Sequence, residues 1–209
     1  MRARQGNAAT TLPLDVSRET GARLDHFRGL VEKWSPRINL VSRAALADLQ
    51  ARHIADSAQL WHLAPPARRW VDLGSGGGFP GMVIAILARE LRPDLRVVLI
   101  ESDTRKAAFL ATAIRETDVN ADIIAARIET VSPQAADIVS ARALAPLERL
   151  LGLVMRHLAP GGRALLPKGA TWREEVENAR RTWTFEADTI PSVTDPSAVI
   201  LSIGDIARA

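Results

Sequence analysis

Three features of the 209-residue chain predict an α/β fold built on a doubly wound, mostly parallel sheet. From residue 70 onward, short apolar segments alternate with amphipathic ones, the rhythm of strand–helix–strand units. A glycine-rich turn, Gly74-Ser75-Gly76-Gly77-Gly78, joins the first strand of that series to its first helix. The last two of seven strand segments have no helix between them, which predicts an antiparallel hairpin at one edge.

The elements follow in order. Leu24, Phe27, Leu30, Val31 and Trp34 recur at helical spacing, so residues 17–34 form a helix with one buried face. Pro36 is expected to end it. Ser42 can cap a second helix reaching about residue 50, and a third covers 53–63. Ala64-Pro65-Pro66-Ala67 breaks the chain. It separates an N-terminal helical cap, 12–64, from a core of 65–209. Residues 1–11 are polar and read as a disordered tail rather than a signal peptide.

Within the core, 70–73 is a strand and 79–91 a helix, with Pro80 tolerated in its first turn. Residues 96–100 form a strand and 103–115 a helix. Strands follow at 122–125 and 137–140. A helix at 146–158 is stopped by Pro160-Gly161-Gly162, and a strand follows at 163–166. A helix at 172–183 precedes the final strands, 185–190 and 198–203.

Composition bounds the function. Hydrophobic residues make up 47% and charged residues 24%, which suits one α/β domain with a small extension. No apolar run reaches the roughly 18–20 residues of a membrane span, so no membrane partner is expected. There is no cysteine, which excludes disulfides, thiolate–zinc sites and thiol nucleophiles. That fits a reducing, cytoplasmic setting. The net charge is +3; residues 1–64 hold nine Lys+Arg against six Asp+Glu, and residues 65–209 hold eighteen of each. The whole excess therefore sits in the N-terminal segment. It suits contact with phosphates, or it is a solvated helical surface.

The turn after the first strand carries the most information. Gly76 to Gly81 matches G-x-G-x-x-G, the pattern of dinucleotide sites, but begins one turn late because Gly74 already lies in the loop. Asp72-x-Gly74-x-Gly76-x-Gly78 is the better description. It resembles the first motif of class I S-adenosylmethionine methyltransferases. An acid two residues before the first glycine suits a cationic sulfonium ligand and would repel a pyrophosphate. Glu101 ends the second strand, where a carboxylate can accept from both ribose hydroxyls. Asp72, Gly74, Gly76 and Glu101 are thus candidate cofactor residues, with S-adenosyl-L-methionine the expected cofactor.

The whole chain resembles a particular family, the ribosomal small-subunit methyltransferase G family, also called glucose-inhibited division protein B. The resemblance rests on Trp34 with Ile38-Asn39-Leu40-Val41-Ser42, on Arg52-His53-Ile54-Ala55-Asp56-Ser57, and on Gly74 through Phe79-Pro80-Gly81. Lys106-Ala107-Ala108-Phe109-Leu110, Arg127-Ile128-Glu129, Ser140-Ala141-Arg142-Ala143 and Lys168-Gly169 extend it. Ser35 departs from it, since the family usually has Asn after the Trp. The resemblance implies a Rossmann-like class I methyltransferase fold with an N-terminal helical extension. It implies methylation of N7 of guanine 527, in the 530 loop of 16S rRNA. It also implies cofactor contacts at Gly74, Phe79, Ile128, Glu129 and Arg142. The substrate would be 16S rRNA within a 30S subunit or assembly intermediate, and the chain a monomer.

The chemistry agrees. Guanine N7 has a free lone pair and no proton to lose, so positioning suffices and no general base is needed. Cytosine C5 methylation would require a cysteine. Methylation of exocyclic amines typically shows Asn/Asp-Pro-Pro-aromatic after the fourth strand, where this chain has Ser140-Ala141-Arg142-Ala143. Arg142 stands at a strand's carboxyl end, where it could pair with a cofactor carboxylate, pair with a target phosphate, or face solvent. It is the single candidate for a positioning role in catalysis. Lys168, Trp34, Asn39, Arg52 and His53 are candidate substrate contacts. His53, Asp56 and Ser57 look like a triad, but no nucleophile elbow accompanies them, so a polar packing cluster or a lid is expected. The scattered histidines predict no metal site. A methyltransferase acting on protein or a small molecule, and a dinucleotide-binding module, are the readings left open beside this one.

Overall fold

The computed structural model describes residues 14–41 and 53–209. The expected N-terminal tail, the helix expected at 42–50 and the candidate Arg52 lie outside the described residues.

Helix α1 (Arg18–Ile38) begins at Ser17, whose hydroxyl accepts from the Thr20 amide at 3.2 Å. Its inner face buries Leu24, Phe27, Leu30 and Val31. The expected stop at Pro36 is corrected: the helix runs on to Ile38. A proline removes one amide and crowds the preceding turn, but only the final residues of α1 follow it. Asn39 then closes the end in left-handed conformation, φ 52°, with its N–H on the Ser35 carbonyl at 2.9 Å. Helix α2 (Ala55–Leu63) leads into the sheet.

The remaining elements alternate as expected: β1 (Arg69–Leu73), α3 (Gly81–Leu91), β2 (Arg96–Glu101), α4 (Thr104–Thr117), β3 (Ala121–Ala125), a 3₁₀ turn (Ile128–Thr130), β4 (Ala136–Ser140), α5 (Leu147–His157), β5 (Leu158–Lys168), α6 (Trp172–Ala179), β6 (Trp183–Pro191) and β7 (Val199–Arg208). They form one seven-stranded sheet in the order β3-β2-β1-β4-β5-β7-β6. Strands β1 to β5 are parallel, and β7 runs antiparallel between β5 and β6. The expected edge hairpin is present, with its second strand on the inside.

Several boundaries differ from expectation, among them the end of β7, which runs to Arg208 rather than 203, and three more have a local cause. Helix α3 starts at Gly81 rather than residue 79, because Phe79 and Pro80 complete the preceding turn and Pro80 occupies the N-cap. Helix α6 ends at Ala179, and Trp183 instead opens β6, with its indole N–H on the Glu148 carbonyl at 2.9 Å. Strand β5 begins before the Pro160-Gly161-Gly162 stop. Ala136 pairs with Leu158 and Ile138 with Arg163, so the stop bulges out of the strand.

Both faces of the sheet are covered, which explains its unbroken apolar strands. Trp70 and Leu99 face α1–α4 in one core; Val71, Leu73 and Ile100 face α5 and α6 in the other. From β1 the chain winds outward to β3, then returns to place β4 on the other side of β1. The crevice at the carboxyl ends of β1 and β4 is therefore the switch point of the sheet, where open α/β folds bind ligands. Helix α1 is anchored near it, for Phe27 packs on Phe79 and Phe109 at centroid distances of 5.3 and 6.4 Å. Phe27→Ala should lower the unfolding free energy by about 3–5 kcal/mol in urea titrations. A loss below 1 kcal/mol would show that α1 is not integral to the core.

Candidate active site

The turn from β1 to α3 is held open at the switch point. Gly74 and Gly76 adopt φ of 67° and 54°. The amides of Gly74 and Ser75 both donate to the Ile100 carbonyl, at 2.9 and 3.1 Å, which fastens the turn to the end of β2. A Cβ on Gly74 would lie 2.7 Å from Leu144 Cδ1, so a side chain there would obstruct the cleft beside it.

Asp72 is 1% exposed and lies behind this turn. Its Oδ1 accepts from the Ser140 hydroxyl at 2.7 Å, and its Oδ2 accepts from the Gly81 amide at 3.3 Å. Ser140 in turn accepts from the Trp70 indole at 2.8 Å. Burial pushes the Asp72 carboxyl up to about 6, against the pull of these hydrogen bonds and of Arg142. The carboxylate expected to face a ligand is thus occupied within the protein, and its charge acts from behind the loop.

Glu101 faces the cleft. Its Oε2 accepts from the Gly76 amide and its Oε1 from the Asp103 amide, both at 2.8 Å. The cleft encloses about 350 Å³ between Gly74, Gly76, Glu101, Ile128, Glu129 and Arg142. Glu129 is exposed at the rim, 3.7 Å from Arg127 and 3.9 Å from Arg149. A backbone amide and these guanidinium groups hold its carboxyl below the usual range. A glycine floor, with a fixed carboxylate able to accept from vicinal hydroxyls, fits the nucleoside of S-adenosylmethionine.

Arg142 is the hub. It leaves β4 with its side chain only 20% exposed, and burial pushes its pKa down while Asp56 pulls it back up. Its Nη1 lies 2.8 Å from His53 Nδ1 and 3.4 Å from Asp56 Oδ2. A guanidinium can only donate, so His53 Nδ1 accepts. The guanidinium also lies 5.3 Å from the Phe79 ring centroid. Phe79 itself is buried between Phe27 and His53 and does not line the cleft. It serves as a platform for Arg142.

Ser57 donates to its own helix, to the His53 carbonyl at 2.6 Å, and no triad forms. Asp56 Oδ1 instead accepts from Gln59 at 2.7 Å and from Thr194 at 3.1 Å. Gln59 also accepts from the Val193 amide at 3.0 Å, tying α2 to the β6–β7 turn. Sequence reasoning missed Gln59 and Thr194. No local signal marks them, since Thr194 lies 138 residues from Asp56.

A larger cavity, about 810 Å³, opens on the other side of Arg142, between His53, Asp56, Lys168, Glu174, Glu175 and Asp195. The segment 142–145 lines both spaces. Lys168 is fixed on its wall, with Nζ 2.8 Å from Glu175 Oε2 and 3.2 Å from the Ala145 carbonyl. Trp34 is not brought to either space. It packs on Phe109 at 5.7 Å within the core. Asn39 caps α1, and the neighbouring Leu40 carbonyl lies over Gly77, where a Cβ would approach it to 3.1 Å.

The family model for rRNA small subunit methyltransferase G matches residues 21–200. The chain belongs to that family. It is 53% identical over 197 residues to the ribosomal RNA small subunit methyltransferase G of Ruegeria sp., covering 94% of this chain and 96% of the relative. It is 48% identical over 198 residues to the family member of Paracoccus denitrificans, covering 94% and 100%. Solved structures at lower identity share the fold. A TehB-like SAM-dependent methyltransferase from Corynebacterium glutamicum superposes with a TM-score of 0.57 at 18% identity, covering 89% of this chain and 100% of that one. The 16S rRNA methylase RmtB gives 0.55 at 18%, covering 91% and 76%. The architecture is thus that of the class I methyltransferases.

The Asp72 carboxyl yields a pH signature. Its folded pKa is raised, so its contribution to stability is complete below pH 4 and is lost as pH rises through about 6. Asp72→Asn can keep both hydrogen bonds, because Ser140 can accept instead of donate. Relative to the parent, this variant should gain about 3 kcal/mol of stability between pH 4 and pH 7. Parallel urea titrations across that range would check it, and a pH-independent difference would contradict the assignment.

Proposed function

We propose that the chain methylates N7 of guanine 527 in 16S rRNA, acting in the cytoplasm as a monomer on a 30S subunit or assembly intermediate. Family membership makes it an S-adenosylmethionine-dependent methyltransferase of small-subunit rRNA. The observation that carries the finer reading is the meeting of two spaces at Arg142.

The inner cleft suits the cofactor. Glu101 would accept from its ribose hydroxyls, the backbone at Gly74 and Gly76 would lie beneath it, and Ile128 and Glu129 would wall it. Asp72 lends negative charge from behind the loop. When bound, the cofactor supplies an electrophilic methyl group on a sulfonium. The outer cavity has room for a flipped purine, with Lys168 and His53 on its walls. Arg142, held by His53, Asp56 and Phe79, marks the boundary where base and methyl group would meet. Its task is positioning, because the N7 lone pair needs no base to activate it. Lys33 and Arg37, exposed near the end of α1, offer cations to RNA phosphates.

Labelled methyl transfer to unmodified 30S subunits, followed by mapping of the product, tests this directly. A methyl group on another base, or none on the rRNA, would overturn it. Arg142→Ala should reduce kcat/KM about 100-fold while the chain stays folded; normal turnover would remove Arg142 from the site. Lys33→Glu combined with Arg37→Glu should raise KM for the subunit and flatten its salt dependence. The affinity for S-adenosylhomocysteine should stay the same, and an unchanged subunit KM would exclude α1 from the RNA surface.

A further inference from the structure

One wall of the inner cleft is the 3₁₀ turn Ile128–Thr130. Within it, Thr130 donates to the Arg127 carbonyl from its amide at 2.9 Å and from its hydroxyl at 2.8 Å, and the Val131 amide reaches the Ile128 carbonyl at 3.3 Å. Two adjacent residues at the end of α5 reach across to this turn. Arg156 donates from Nε and Nη2 to the Val131 carbonyl, at 3.1 and 3.0 Å. His157 is fully buried, and its Nε2 lies 3.1 Å from the Ile128 carbonyl.

A carbonyl only accepts, so Nε2 carries the imidazole proton. The other nitrogen, Nδ1, is buried without a partner. Such a nitrogen disfavours histidine at a position meant only for packing. A leucine would fill the space without that penalty. What the imidazole adds is an N–H held against the Ile128 carbonyl. Burial also lowers its pKa, which keeps the ring neutral and its single donor aimed at the turn.

We infer that His157 and Arg156 clamp the Ile128–Thr130 turn from both ends and so set the cleft wall against which S-adenosylmethionine rests. Both are positioning residues, acting through Ile128 and its neighbours. The inference rests on the reading of this cleft as the cofactor site.

The test uses the full chain, S-adenosylhomocysteine calorimetry and methylation of 30S subunits. His157→Leu should raise the S-adenosylhomocysteine Kd and the cofactor KM about tenfold, with kcat at saturation held within about twofold. His157→Gln offers an amide N–H in nearly the same place and should recover most of the loss. Arg156→Ala, an exposed position, should raise the cofactor KM about threefold with the thermal midpoint little changed. Equal losses in the Leu and Gln variants, a loss confined to kcat, or a normal cofactor KM in Arg156→Ala would each overturn the clamp. If His157→Leu does not fold, the Gln and Arg156 variants decide alone. Glu101→Ala, measured in parallel, separates the two layers. Weakened binding there with normal His157 and Arg156 variants sinks the clamp only, whereas normal binding in Glu101→Ala sinks the cleft assignment itself.

Discussion

The site depends on one buried carboxylate. Asp72 joins three elements that meet at the switch point: β1, which carries it; β4, through Ser140; and α3, through the Gly81 amide. That junction ties the two ends of the glycine turn to β4 and to each other, while the Ile100 carbonyl and Glu101 hold its middle to β2, and together they define the floor of the cleft. Raising the Asp72 pKa to about 6 shows that burying this charge costs more than its hydrogen bonds return. The fold sustains that cost because two large apolar cores flank the junction.

The N-terminal helices take part in the site. Phe27 on α1 supports Phe79, and Phe79 supports the guanidinium of Arg142. From α2, His53 and Asp56 hold the same group. Gln59 and Thr194 then connect Asp56 to the far hairpin of the sheet. Arg142 is therefore positioned by segments from both ends of the chain. Its rigidity is a property of the tertiary structure, and no single motif contains it.

That explains which parts were legible in the sequence. Strand and helix identities follow from local periodicity, and the glycine turn from the backbone conformations it must adopt, so these were readable. Pro36 misled because its cost is judged for a helix interior, whereas here the capped end lies three residues away. Asp72 and Phe79 were recognised as site residues, yet their side chains point behind the loop, and spacing cannot say which way a side chain leaves a turn. Trp34 looked available for stacking on a base until Phe109 supplied its partner from 75 residues away. Gln59 and Thr194 have no local signature, because their meaning arises only when α2 and the β6–β7 turn come together.

Burial acts on Asp72 and Arg142 in opposite senses. It raises the carboxyl and lowers the guanidinium, and each partly offsets the other through their mutual attraction. Arg142 also has Asp56, whereas Asp72 has no second cation among its named partners. Asp56 thus matches Arg142 on the outer side, toward the larger cavity, while the Asp72 carboxyl stands behind the glycine turn. The lining of the inner cleft mixes the carboxylates Glu101 and Glu129 with Lys106, Arg127, Arg142 and Arg149, so groups of either charge find an opposite one there. What sets the turn apart is the acid buried behind it: a diphosphate laid against the glycine backbone would meet a like charge at Asp72, whereas a sulfonium would not.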